Sequence, residues 1–217
     1  QFIINPYDEF GLTKAIKLRE AHGGTVSVVH VGPITSEPTL RKALAIGADK
    51  AIRINADAID SYSVAKELAS VAQKENYDLI IMGRESIDYN GGAVPGMMSE
   101  MMDLPFVNAC TGCDIDGSTA SMEREIEGGK EFLQSTLPMI IAGQKGLVEE
   151  SELLIPNMRG IMSARSKPLT VEEPIQAEIK CASVSFEKPA PKADCKMVEV
   201  GNESELVNLL HTEAKVI

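Results

Sequence analysis

Apolar residues recur along this chain with a period that switches between helical and extended spacing. Leu12, Ala15 and Ile16 fit a helix that stops near Gly23-Gly24, and Thr25 to Val31 is a β-branched run that reads as a buried strand. Leu40, Ala43 and Leu44 mark a second helix closed by Gly47, and Lys50 to Asn55 makes another strand. Val64, Leu68, Val71 and Ala72 form a helical stripe, Asp78 to Met82 is a strand, and Val94, Met97, Met98 and Met101 belong to a further helix. Strands alternating with helices at this spacing predict an α/β fold with a parallel sheet and right-handed crossovers.

The pattern changes after Leu104. Val107 to Ile115 and Ser118 to Ile126 read as strands joined by a turn at Asp116-Gly117, and a second turn at Glu127 to Lys130 leads into Glu131 to Thr136. Leu137 to Ala142 reads as one more buried strand, so this antiparallel section extends or covers the same sheet. From Lys167 onward Pro168, Pro174, Pro189 and Pro191 interrupt extended stretches and disfavour compact helices. A short amphipathic helix follows, with Asn202 as its cap, Glu205 three residues later, and Leu206, Leu209 and Leu210 on one face. A helix this short is marginal in water, so that face needs either its own domain or a partner chain to pack on.

The chain has 217 residues, 44% of them hydrophobic but only 4% aromatic and none Trp, so aliphatic and Met side chains must fill the interior. Its formal charge of −11 repels phosphate backbones, which argues against nucleic acid as a main partner. No stretch approaches the roughly 18 apolar residues needed to cross a bilayer, so direct membrane insertion is not expected. The start, Gln1 to Asn5, reads as neither a signal nor a transit peptide, and the four cysteines do not resemble a secreted disulfide framework. The expected location is a soluble, reducing compartment, the cytoplasm.

The strongest local signal runs from Gly83 through Arg84, Glu85, Ser86, Ile87, Asp88, Tyr89, Asn90, Gly91, Gly92 and Ala93 to Val94. It begins where an apolar strand ends and runs into the Met-rich helix, and ligands of open parallel sheets bind at that end. Two adjacent glycines allow close backbone approach, and the helix that follows presents unpaired N–H groups to an anion such as a phosphate. The loop matches neither the P-loop nor the Rossmann dinucleotide turn, so a phosphate cradle and an ordinary glycine-rich connection both stay open. Asn5, Pro6, Tyr7 and Asp8 precede the first helix, either as a cap with a packing aromatic or as a second ligand-lining loop.

Cys110 and Cys113 have metal or redox spacing but lie inside a predicted strand with no second close pair, which disfavours either chemistry. His22, His30 and His211 have no nucleophile pattern around them, and no hydrolase constellation stands out. Residues Ile155 to Lys167 place Met158, Ile161 and Met162 beside Arg159, Arg165 and Lys167 on an otherwise acidic chain. This reads either as apolar anchors ringed by positive charge for an acidic partner, or as a buried helix with snorkelling basic residues.

Together these segments resemble the beta subunit of electron transfer flavoprotein, in a bacterial member. Asn5-Pro-Tyr-Asp-Glu-Phe10 is similar to the family's Asn-Pro-aromatic entry to its first helix, and Ala43 to Asp49 to its ALAMGAD stretch. Gly83 to Val94 resembles the family's nucleotide loop, Arg124 to Gly129 its REIDGG turn, and Ile161 to Pro168 its IMKAKKKP segment. The matches fall in family order over about residues 3–175. The end of the chain, through Ile217, is similar to bacterial members with an extended C-terminus.

The resemblance implies a Rossmann-like domain over 1–166, with helices on both faces of its sheet, and an arm and helix over 167–217 that docks on a partner. It implies a heterodimer with an alpha subunit holding most of the FAD, and a buried AMP in this chain. Asn5, Pro6, Tyr7, Asp8, Val31 and Gly83 to Val94 would line that nucleotide, with Tyr7 towards the flavin. Met158, Arg159, Ile161 and Met162 would anchor flavin-dependent dehydrogenases, whose electrons pass on to a quinone reductase; the chain would be a carrier, with no catalytic residue or metal of its own. Where many members have Asn-Gln-Thr-Gly, this chain has Gly92-Ala93-Val94-Pro95, which leaves backbone rather than side-chain contacts. The family also opens with a strand ahead of the Asn-Pro segment that this sequence does not contain, so the sheet is expected to lack a central strand. A second FAD in the same pocket, as in bifurcating relatives, and a stand-alone adenine-nucleotide sensor are the alternatives.

Overall fold

A computed structural model describes residues 2–192 and 194–217. They form two compact units, one ending at Ala182 and the other beginning at Ser183. In the first unit the elements run α1 (Pro6–His22), β1 (Ser27–Val31), α2 (Glu37–Ile46), β2 (Lys50–Ile54), α3 (Ser61–Glu75), β3 (Leu79–Gly83) and α4 (Val94–Met102). They continue as β4 (Phe106–Asp116), β5 (Thr119–Ile126), β6 (Gly129–Thr136), β7 (Met139–Gly143), α5 (Met158–Ala164) and β8 (Leu169–Glu172). The fold is α/β and Rossmann-like, as the periodicity and the resemblance predict.

The strands form two sheets. One has the order β1-β2-β8, all parallel; the other has the order β3-β7-β4-β5-β6. In the second, β3, β7 and β4 are parallel, and β4-β5-β6 is the antiparallel extension. No strand among the described residues joins β1 to β3. Strand β8 follows Pro168 in the stretch read as a proline-broken arm; its Thr170 pairs with Ile52, so an open edge of β2 decides a strand that local sequence does not.

Helices cover both faces. Strand β7 is buried along its whole length, and its side chains alternate between the two cores. Ile141 faces Phe10 of α1, whereas Ile140 faces Ala69 of α3 and Met98 of α4. On the other sheet Ala51 packs under Leu12, Ile16 and Leu44 of α1 and α2, while Ile52 and Ile54 meet Val71 of α3. Helix α1 thus joins both sheets, with Phe10 in one core and Ile16 in the other. Each such aliphatic side chain contributes about 1.5–3 kcal/mol, against at most about 1 kcal/mol for an exposed ion pair, so these layers carry the fold.

The second unit holds α6 (Glu203–Leu209), continued by a π-helical turn over Leu210–Ala214. Its Leu206 and Val207 are about half exposed, and Phe186 and Met197 are largely exposed.

Candidate functional site

Two of the predicted segments meet. Asn5 occupies the N-cap position of α1 without a side-chain cap bond and Pro6 begins the helix, which places Tyr7 and Asp8 in its first turn, beside the end of β3. The Gly83 N–H donates to Asp8 Oδ1 at 2.7 Å; Asn5 Nδ2 donates to Asp8 Oδ2 and to the Glu85 carbonyl, each at 2.8 Å. A Cβ on Gly83 would lie 2.8 Å from Asn5 Nδ2 and 2.9 Å from the Tyr7 Cβ, so glycine is the residue that permits this approach. Asn5 Oδ1 is buried and unpartnered. Asp8 keeps access to solvent along one side, yet dense surrounding protein desolvates it. That desolvation pushes its carboxyl above the ordinary value against the bonds from Asn5 and Gly83.

Beyond Gly83 the loop closes on itself. Ser86 pairs with Gly91, with the Ser86 N–H on the Gly91 carbonyl at 3.0 Å, and Asp88 Oδ1 accepts from the Ser86 hydroxyl and the Tyr89 N–H. The left-handed residue of the turn is Asn90 (φ 51°), not Gly91 or Gly92 as the glycine pair suggests. Gly92 matters for space instead, since a Cβ there would approach the Arg84 carbonyl to 3.1 Å. Ile87, Tyr89 and Ala93 are exposed. Helix α4 begins at Val94 with no side-chain cap and Pro95 in its first turn, so no side chain among the described residues caps its N-terminal N–H groups.

Arg84 reaches Gln144, just past the end of β7. Its Nη1 donates to Gln144 Oε1 at 2.6 Å, its guanidinium lies 5.8 Å from the Tyr7 ring centroid, and Gln144 Nε2 donates to Glu125. With Lys145 and Gly146 these residues line a hollow of about 400 Å³. Sequence reasoning did not place Glu125, Gln144 and Lys145 here: they arrive from the ends of β5 and β7, Glu125 within the Arg124 to Gly129 turn and the other two outside any motif. Val31 lies elsewhere, lining a hollow of about 200 Å³ with Ser63 and Glu67 of α3 and with Pro174 and Ala177.

The basic, Met-rich segment forms α5. Asn157 Oδ1 caps it by accepting the Gly160 N–H at 2.8 Å. A Cβ on Gly160 would sit 2.3 Å from the Ala45 carbonyl oxygen, so the helix rests directly on the α2 backbone. Met158 and Met162 are 75% and 69% exposed, which removes the buried-helix reading; Ile161 and Arg159 are also exposed. Lys167 is not part of a basic ring: its Nζ donates inward to the Leu44 and Ala48 carbonyls at the end of α2. Arg41 of α2 reciprocates on the Ala164 and Lys167 carbonyls.

Regular strand alternation would face Cys110 and Cys113 opposite ways, but β4 is bulged between Cys110 and Gly112, and both side chains enter one core. Burial pushes both thiols up, Cys113 to about 12, which keeps them protonated. Desolvation, with Arg53 beside it, pushes His30 below its usual value, consistent with a structural role. Among the described residues no cluster of three or more His, Cys, Asp or Glu could hold a metal. No helix among them is long and apolar enough to cross a membrane.

The family model described as electron transfer flavoprotein domain matches residues 1–177. The chain belongs to the electron transfer flavoprotein family. The electron transfer flavoprotein subunit beta of Bacillus subtilis is 37% identical over 231 aligned positions, covering 100% of this chain and 89% of that protein. The beta subunit of Syntrophomonas wolfei is 36% identical over 88% of this chain and 75% of its own length. A mitochondrial beta subunit from Oryza sativa subsp. indica is 32% identical over 99% of this chain and 87% of its own length. Relatives over the full chain make it an electron transfer flavoprotein beta subunit by family, and the geometry above describes how this member builds its loops.

Proposed function

We propose that this chain pairs with an electron transfer flavoprotein alpha subunit, binds AMP at the junction of Asn5–Asp8 with Gly83–Val94, and helps hold the FAD carried mainly by that partner. It serves as an electron carrier rather than an enzyme, taking electrons from flavin-dependent dehydrogenases towards a quinone reductase. The carrying observation is the junction itself, where Gly83 fits under Asn5 and Tyr7 and leaves Asn5 Oδ1 buried without a partner. An adenine amino group would satisfy that oxygen, and the uncapped first turn of α4 suits a phosphate. Arg84 is engaged elsewhere, so phosphate binding falls to main-chain N–H groups.

FAD supplies the redox chemistry when bound. Tyr7 and Arg84 are this chain's contribution to its surroundings, through the hollow they share with Gln144 and Lys145. The exposed Met158, Ile161 and Met162 with Arg159 form the dehydrogenase docking surface, and the arm and helix over 167–217 dock on the alpha subunit.

Co-expression with the alpha subunit, followed by denaturation and mass measurement of the released small molecules, tests this reading. A yellow heterodimer releasing one FAD and one AMP is the expected result. Two FAD molecules per heterodimer would assign the junction to a second flavin. A stable colourless homodimer would overturn the carrier reading.

A further inference from the structure

The extended segment after β8 is held against α3 by carboxylates rather than by a strand. Glu67 of α3 is buried, and its two oxygens accept the N–H groups of Ile175 and Ala177, each at 2.9 Å. The residue between them, Gln176, has φ 57°, a left-handed conformation that a non-glycine residue keeps only where its surroundings fix it. Two N–H groups on either side of a left-handed residue converging on one anion form a main-chain anion nest. Here the anion is the protein's own side chain.

Asp60 repeats the device at the start of the helix. Its Oδ1 accepts the Ser63 N–H and caps α3, while its Oδ2 accepts the N–H groups of Lys180 at 2.7 Å and Cys181 at 2.8 Å. Hydrogen bonds from Ser63, Cys181 and Lys180 hold this carboxyl down to about 2, so the grip stays charged at any physiological pH. Asp60 and Glu67 stand two helical turns apart and so share one side of α3. The segment runs along that side towards the helix N-terminus, and the Lys180 ammonium sits 5.3 Å from the Tyr62 ring centroid.

We infer that Asp60 and Glu67 act as a clamp that orders residues 175–181 before any partner arrives, and so fix the path on which the chain leaves the α/β unit to meet the alpha subunit. The clamp stands on this chain's own geometry; its consequence for docking rests on the carrier reading. A segment already ordered loses less conformational entropy on association, and an unclamped one must be ordered during it. Asp60 and Glu67 are positioning residues for assembly.

Three variants test the clamp on the full chain. Glu67→Gln keeps the packing but turns an amide donor against one of the two N–H groups. Asp60→Asn keeps the helix cap. Gln176→Val opposes the left-handed backbone without touching either carboxylate. Hydrogen exchange on the free chain is expected to speed up about tenfold or more across 175–181 in each, with the central strands β2 and β7 remaining far better protected than that segment. Binding to the separately purified alpha subunit is expected to weaken about tenfold in chains that remain folded. Unchanged exchange in all three variants would overturn the clamp. Faster exchange with unchanged affinity would overturn its role in docking. If the unmodified chain forms no complex with an alpha subunit, the carrier reading fails and with it the docking role, while the exchange result decides the clamp by itself.

Discussion

The junction at Gly83 and the helix α5 both depend on a glycine that lets two pieces of chain touch, yet they use the closeness in opposite ways. At Gly83 the approach draws polar groups together: Asn5 donates to Asp8 and to the Glu85 carbonyl, Asp8 accepts the Gly83 N–H, and one amide oxygen is left over. At Gly160 the approach seats a helix on the carbonyl of Ala45, and the side chains it frees, Met158 and Met162, point into water. A contact that buries polar atoms makes a place for a small ligand. One that fixes a backbone while exposing flexible apolar side chains makes a surface for a protein.

The largest effect should come from Gly160→Val. Its Cβ would meet backbone rather than a movable side chain, so the α2–α5 contact must open, at a cost of about 3 kcal/mol in chemical denaturation. A loss under about 0.5 kcal/mol would mean that α5 is not seated on α2. Gly83→Ala meets Asn5 Nδ2 at 2.8 Å, the end of a flexible side chain, and the Tyr7 Cβ at 2.9 Å, which moves only with the start of α1. About 1–2 kcal/mol is expected, together with loss of nucleotide from the purified complex; retained nucleotide at full occupancy would separate the junction from the ligand.

A smaller effect concerns Asp8. Its folded pKa is raised, so the native chain holds a proton that the unfolded chain has already lost. Stability from this group is therefore present at low pH and declines as pH rises from about 3.9, the unfolded value, through the raised folded value. Asp8→Asn keeps an acceptor for the Gly83 N–H and should flatten that decline, which unfolding curves between about pH 4 and pH 7 would measure. An identical pH dependence in variant and parent would contradict the desolvated environment. The smallest effect on stability is expected for Met158→Ser with Met162→Ser, within about 0.5 kcal/mol, because both side chains are already exposed. Electron transfer from a partner dehydrogenase should nonetheless fall about tenfold at limiting concentration, the scale of losing one interface anchor. Unchanged transfer would remove α5 as the docking surface.

Much of the α/β unit was legible because its signals are local. Runs such as Ser27–Val31 and Leu79–Gly83 cannot sit in water, and glycines at 23 and 47 end helices whatever surrounds them. The loop after β3 was found for the same reason, as a glycine-rich stretch at a strand end. What escaped was every feature that needs two distant segments at once. Strand β8 exists because β2 has an open edge, and the bulge in β4 reverses the facing that simple alternation gives Cys110 and Cys113. Lys167 belongs to the end of α2 although it follows a basic run. Nothing near Glu67 in the sequence sets it apart from other helix carboxylates; the segment carrying Ile175 and Ala177 is what engages it.

The amino-acid order by itself determined the class of fold, the succession of elements, the family and the two regions worth watching, since periodicity, turn chemistry and motif order are written within a few residues of one another. Tertiary structure alone decided which of those residues meet. It joined Asn5 to Gly83, turned Arg84 to Gln144, left the α5 methionines outside, and aimed four main-chain N–H groups at Asp60 and Glu67. A hydrogen bond or a close backbone contact is a property of positions in space, and positions so far apart in the chain are set by how the layers pack.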